Sequence, residues 1–149
     1  MCSICQRKSD FQQRSSRKRE WDERIVHRAG NALTDDLGNK EYDLIFIGNL
    51  LHHFDEVANR NLLKRSAHTL HPNGYLVIEE FHRFQSPKEV VELGALSNLY
   101  SAATSEAGTW SMKEIAQWQR EVSLLPRKPI LSLTAPGVEL QAAIKPDSK

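Results

Sequence analysis

Tyr42-Asp43-Leu44-Ile45-Phe46-Ile47-Gly48-Asn49-Leu50-Leu51-His52-His53-Phe54 precedes a helical pattern and then Pro72-Asn73-Gly74-Tyr75-Leu76-Val77-Ile78-Glu79-Glu80-Phe81. Leu44 to Ile47 is a continuous apolar run, too short for a typical helix. Such a run predicts a strand buried on both faces, as in a parallel sheet covered by helices. Ala58, Leu62, Leu63, Ser66, Ala67 and Leu70 recur at helical spacing and make one apolar or small stripe. Asp55 is placed to cap that helix, and Pro72-Asn73-Gly74 is expected to stop it. Tyr75 to Ile78 is a second buried strand, which completes a βαβ unit with right-handed crossover. Asn49, His52 and His53 gather just past the carboxyl end of the first strand, the rim where open α/β sheets bind ligands.

Working outward, the chain has 149 residues and a net charge of +1, so a single domain is expected and no polyanionic partner is implied by the total. The charge is uneven. In the first twenty residues Arg7, Lys8, Arg14, Arg17, Lys18 and Arg19 face only Asp10 and Glu20. Residues 1–20 are polar, basic and poor in branched apolar side chains, and they read as a disordered tail. That tail lacks the aromatic interleaving of a nucleic-acid reader, so a solvated tail is favoured over a phosphate-binding one. Cys2 and Cys5 have the spacing of half a zinc site without a second ligand pair, so no metal is expected. No apolar run approaches transmembrane length and no signal-peptide core is present, which points to a cytosolic protein.

Arg24 to Arg28 reads as a short strand, followed by Ala29-Gly30-Asn31. Asp35-Asp36 and Gly38-Asn39 mark a solvated connector. After Phe81, Ser86-Pro87-Lys88-Glu89 is a capping box with proline at the first helical position, opening a helix that runs to Tyr100. Ser111-Met112-Lys113-Glu114 is a second capping box, opening a helix with Ile115, Trp118 and Val122 on one face, ended by Pro126 and Pro129. Trp110 and Trp118 read as packing residues. Two strands, Ile130–Thr134 and Val138–Ile144, flank the turn Ala135-Pro136-Gly137, and the second alternates as an antiparallel strand does. Pro146 to Lys149 is a polar tail. The fold class expected is α/β.

Tyr42-Asp43-Leu44-Ile45, Leu50-Leu51-His52-His53-Phe54, the helix, and His71 to Glu80 together resemble the fourth and fifth strands of class I S-adenosylmethionine-dependent methyltransferases, most nearly the small-molecule O-methyltransferases. The resemblance covers Asp22 to Lys145 and implies the later part of a Rossmann-like fold, closed by an antiparallel hairpin. It implies S-adenosylmethionine as cofactor. Gly30 and Asn31 fall where the family's third strand ends in Gly-Asp and contacts the adenine amine. An ordinary strand-ending turn explains the pair equally well. Asn49 and Leu50 fall beside the methionine portion. Leu51-His52-His53 falls on a Leu-His-Asp pattern whose histidine is the general base; with His53 in the aspartate's place, which of His52 and His53, if either, is the base stays open, since His-His-Phe also occurs in methyltransferases that need no base. Glu79, Glu80 and His82 stand where the family's pocket for a small-molecule acceptor is lined, and simple solvation of such rim carboxylates is the favoured reading.

The resembled fold begins with a glycine-rich loop and a ribose-binding carboxylate, and no Gly-x-Gly occurs in this chain. Two expectations follow. The chain alone should bind the cofactor weakly or not at all. The open edge of the Leu44–Ile47 strand should be covered, either by direct pairing with the third strand or by a second chain, whether another copy or a partner. The function expected is methyl transfer to a hydroxyl of a small molecule; the rival is a catalytically silent methyltransferase-like fragment that acts as a binding module.

Overall fold

A computed structural model describes residues 28–81, Leu99, 109–133 and 137–147. The chain divides into two units, Met1–Asp36 and Leu37–Lys149. In the first, the described residues form a turn. Asn31 Oδ1 accepts from Leu33 N at 3.0 Å, and Asn31 N donates to Asp35 Oδ2 at 2.7 Å. This is how a short polar side chain replaces missing backbone partners. Arg28 is not in a strand. The rest of the expected strand at 24–28, the basic tail, the cysteine pair, His82 and the capping box at Ser86 lie outside the described residues. So does the helix expected from Pro87 to Tyr100, apart from Leu99, which is helical and exposed.

The second unit is built on one mixed sheet. Its strands are β1 (Tyr42–Gly48), β2 (Leu70–Phe81), β3 (Leu125–Pro126), β4 (Ile130–Leu131) and β5 (Val138–Ile144). β1 and β2 are parallel, with Ile45 opposite Leu76 and Ile47 opposite Ile78. β5 runs antiparallel to β2, and β3 and β4 pair with different ends of β5, so the sheet closes with the expected hairpin. Helix α1 (Glu56–Thr69) connects β1 to β2, and α2 (Met112–Glu121) precedes β3. Leu51, Leu62, Leu63, Leu70, Leu76, Ile78, Ile115, Trp118, Leu124 and Ala143 form the core.

The local signals account for most of this. Asp55 Oδ1 accepts from Ala58 N at 2.8 Å and caps α1. Ser111 and Glu114 cap α2 reciprocally. Lys145 Nζ donates to Ala67 O and Leu70 O, both at 2.8 Å, and so supplies a cation to the carboxyl end of α1. Arg60 bridges the helices: it pairs with Glu56 at 2.7 Å and with Glu121, and its guanidinium lies over the Trp118 ring. No described helix is long and apolar enough to cross a membrane.

Three local expectations need correction. First, β1 is not buried on both faces. Ile47 is buried, but Leu44 is 59% exposed and Phe46 55%, so one face of the apolar run is covered and the other is open. Second, Pro72-Asn73-Gly74 does not separate α1 from β2. The helix passes into the strand at Leu70, and the three residues sit inside β2. There the register slips, with Tyr42 opposite Leu70 but Leu44 opposite Tyr75. Proline is tolerated at such a bulge because its missing N–H is not needed. Asn73 takes φ 64°, and a Cβ on Gly74 would meet His71 O at 2.9 Å and Tyr42 O at 3.1 Å. Third, α2 ends at Glu121, ahead of the prolines, because Ser123 turns left-handed at φ 62° and Leu124 N bonds back to Gln119 O.

Candidate active site

At the carboxyl end of β1 the chain makes a tight departure. Asn49 has φ 49°, a left-handed conformation that asparagine tolerates better than most residues. Its backbone N–H donates to Glu79 O at 2.9 Å and its side-chain amide to Glu79 Oε1 at 3.1 Å, which ties the end of β1 to the end of β2. Leu50 then leads into a 3-10 turn over Leu51–His53, closed by His53 N to Leu50 O and Phe54 N to Leu51 O. Leu51 fills the core, His52 is buried and His53 is exposed.

Beneath this turn lies Glu80, a fully buried carboxylate. It lies inward on β2, in phase with Leu76 and Ile78. One oxygen accepts from Leu51 N at 2.6 Å and the other meets His52 Nδ1 at 2.8 Å. Burying a carboxylate without partners is costly, and here both oxygens are engaged. The pairing fixes the ring chemistry of His52. In the neutral ring, Nδ1–H donated to the carboxylate leaves the lone pair on Nε2, which is the tautomer of a general base held by a carboxylate.

The turn is clamped from two further sides. Asn59, fully buried on α1, donates its amide to Leu51 O at 2.9 Å and to Phe54 O at 3.0 Å. Trp110 Nε1 also donates to Leu51 O at 2.9 Å, while its ring packs edge-on against Trp118 at 5.0 Å. His53 stacks obliquely on His52, ring centroids 4.1 Å apart. Partial burial foremost, and then His52, hold the His53 imidazole below its usual pKa, with Glu80 pulling the other way.

Asn49, Leu50, His52 and His53 thus come together on one turn, with Glu79 and Glu80 of the neighbouring strand against them. Gly30 and Asn31 belong to the first unit, where the Asn31 amide oxygen already accepts from its own turn. Glu80 is neither solvated nor on the wall of an open pocket; it is the buried partner under His52. Its phase along β2 carried that signal, as Asn59's place on the inward stripe of α1 did for the clamp. Trp110 gave no sequence signal for its bond to Leu51. Among the described residues no three His, Cys, Asp or Glu side chains group to hold a metal.

Against known proteins, the profile of the family described as "CheR methyltransferase, SAM binding domain" matches residues 4–97. No curated protein matches the chain. Among solved structures, the chain is similar to human N-acetylserotonin methyltransferase in complex with S-adenosylmethionine, at 21% identity and a TM-score of 0.70, covering 91% of this chain and 36% of that one. A putative O-methyltransferase from Nostoc punctiforme aligns at 25% identity and a TM-score of 0.69, over 79% of this chain and 36% of that one. An O-methyltransferase family 2 protein from Planctomyces limnophilus, in complex with apigenin, aligns at 21% identity and a TM-score of 0.65, over 78% and 33%. The chain therefore spans about a third of the length of these structures. They confirm the expected partial Rossmann-like methyltransferase fold.

Proposed function

We propose that this chain, which belongs to the CheR methyltransferase family by its S-adenosylmethionine-binding domain, serves methyl transfer to a hydroxyl of a small molecule and carries the proton-accepting side of that site. The observation that supports this reading is the buried Glu80–His52 pair at the rim of the parallel strands. S-adenosylmethionine supplies the electrophilic methyl group when bound. The rest falls to the chain. His52 takes the proton of the acceptor hydroxyl at Nε2, a contribution of about 10²–10⁴-fold for a positioned base. Glu80 holds Nδ1–H, keeps the tautomer and stabilises the imidazolium that forms. Asn59 and Trp110 fix the turn so that the ring does not swing.

The donor set fits one edge of a cofactor site. Asn49, Leu50 and His52 stand together where a methionine portion would pass. The chain contains no Gly-x-Gly cradle. Charge-assisted bonds are worth about 1.5–3 kcal/mol each. Missing several of them places binding by this chain alone in the millimolar range or weaker. We place the protein in the cytoplasm, on the grounds of its composition.

A second reading, a methyltransferase-like module that binds a partner or a second copy, is favoured by one feature. Leu44 and Phe46 on the outer face of β1, with Tyr42 and Tyr75 beside them, are exposed. The test between the two is a titration of the 15N-labelled chain with S-adenosylhomocysteine. Concentration-dependent shifts at Asn49, Leu50 and His52 support the first reading. Their absence at millimolar ligand, together with line broadening of Leu44 and Phe46 as protein concentration rises, favours the second.

A further inference from the structure

Away from the His52 turn, α2 and the segment from Pro126 to Pro129 border an open groove of about 420 Å³. That is within the size range of small-molecule sites, roughly 300–1,000 Å³. It shares no residue with the candidate active site. Lys113 and Arg120 enter it from α2, and Arg127 and Lys128 from the opposite wall. None of these four side chains has an ion pair or a hydrogen bond among the described residues. Among the described residues no Asp or Glu lines the groove. The nearby carboxylates are spent elsewhere, Glu114 on the cap of α2 and Glu121 on Arg60 and Gln117.

The basic wall is held rigidly. Prolines fix φ on both sides of Arg127-Lys128. Arg127 N donates to Ala142 O at 2.8 Å, and Arg127 O accepts from the Gln141 amide at 2.9 Å. Gln141 is itself fully buried on β5. Between the cations the lining is apolar, with Met112 and Ala116 on α2 facing Pro126 and Pro129. Two guanidiniums match the geometry of phosphate oxygens, and the two ammonium groups add point charge.

The geometry points to a second binding site here, for a phosphorylated small molecule with a planar apolar ring, of the nucleoside-phosphate kind. The phosphates meet Lys113, Arg120, Arg127 and Lys128, and the ring lies on the methionine, alanine and proline lining. A preorganised wall lowers the ordering cost of binding.

The test uses the full chain, with ADP, inorganic pyrophosphate and adenosine as probes. Calorimetry at low and high salt gives affinity, and 15N NMR gives location. The site predicts that ADP binds more tightly than pyrophosphate or adenosine, weakens with salt, and shifts the amides of Lys113, Ala116, Arg127 and Gln141. The folded Arg127→Gln/Lys128→Gln and Lys113→Gln/Arg120→Gln variants should each weaken ADP binding about tenfold or more, while Lys64→Gln leaves it unchanged. Binding untouched by both double variants, shifts confined to Asn49–His53, or pyrophosphate binding as tightly as ADP would overturn the proposal. So would an oligonucleotide that displaces ADP with affinity rising with its length.

Discussion

Replacing Glu80 with glutamine separates what the buried carboxylate does for stability from what it does for chemistry. In the native protein one oxygen accepts from Leu51 N at 2.6 Å and the other from His52 Nδ1 at 2.8 Å. Glutamine keeps the shape but owns only one acceptor. If its oxygen stays on Leu51 N, its NH₂ faces His52 Nδ1, and the imidazole must surrender that proton and carry it on Nε2. If the amide flips, its NH₂ opposes Leu51 N–H, leaving a buried donor unsatisfied at about 1–3 kcal/mol. The first arrangement exchanges charge-assisted bonds for neutral ones and costs about 1–2 kcal/mol, so it wins. Glu80→Gln should therefore fold, unfold at modestly lower urea, and hold His52 as the Nε2–H tautomer. A base in the wrong tautomer loses activity on the order of 10⁴-fold where this has been worked out for a Ser-His-Asp triad. Long-range 1H–15N correlation spectra read the tautomer without any turnover. Finding Nδ1–H on His52 in both proteins, with equal urea midpoints, would refute the role given to Glu80.

Other consequences are more local. His53 has a depressed pKa, so between its folded value and the ordinary 6.5 the unfolded chain binds more protons. Its contribution is complete above that ordinary value and is lost as pH falls through the window, so urea midpoints should decline on acidification and decline less in His53→Asn. Gly74→Ala drives a Cβ to 2.9 Å from His71 O and 3.2 Å from Asp43 O, backbone atoms that yield little, and should cost about 1–3 kcal/mol in a thermal melt. Leu44→Ser/Phe46→Ser removes two exposed apolar side chains and should change stability by under about 1 kcal/mol. The same pair should reduce self-association in analytical ultracentrifugation; unchanged association would show that another surface drives it.

Much of the fold was legible because its signals are local and strong. The Asp55 cap with the stripe to Leu70, the reciprocal Ser111–Glu114 box, and the alternation of β5 each name an element and one of its limits. The turn carrying His52 was legible as a polar cluster at a strand end. What escaped depends on partners distant in sequence. Apolar character at Leu44 and Phe46 is identical whether or not something covers that face. Pro72-Asn73-Gly74 has turn chemistry and uses it, but as a bulge within β2. Glu79 and Glu80 look alike in sequence; only the pleat separates Glu79, tied to Asn49 at the rim, from Glu80 beneath His52. Trp110 and Leu51 lie 59 residues apart and meet only in the folded chain.

The most direct measurement is transfer of a labelled methyl group from S-adenosylmethionine to a panel of phenols, by the wild-type chain and by His52→Ala, with cofactor raised through the millimolar range. Transfer by the wild-type chain that climbs with cofactor without saturating, and falls about 10²–10⁴-fold in His52→Ala, is the expected result. Transfer of equal rate in the two proteins, or none by the wild-type chain at millimolar cofactor that NMR shows to be bound at Asn49 and Leu50, would contradict the assignment of His52 as the base.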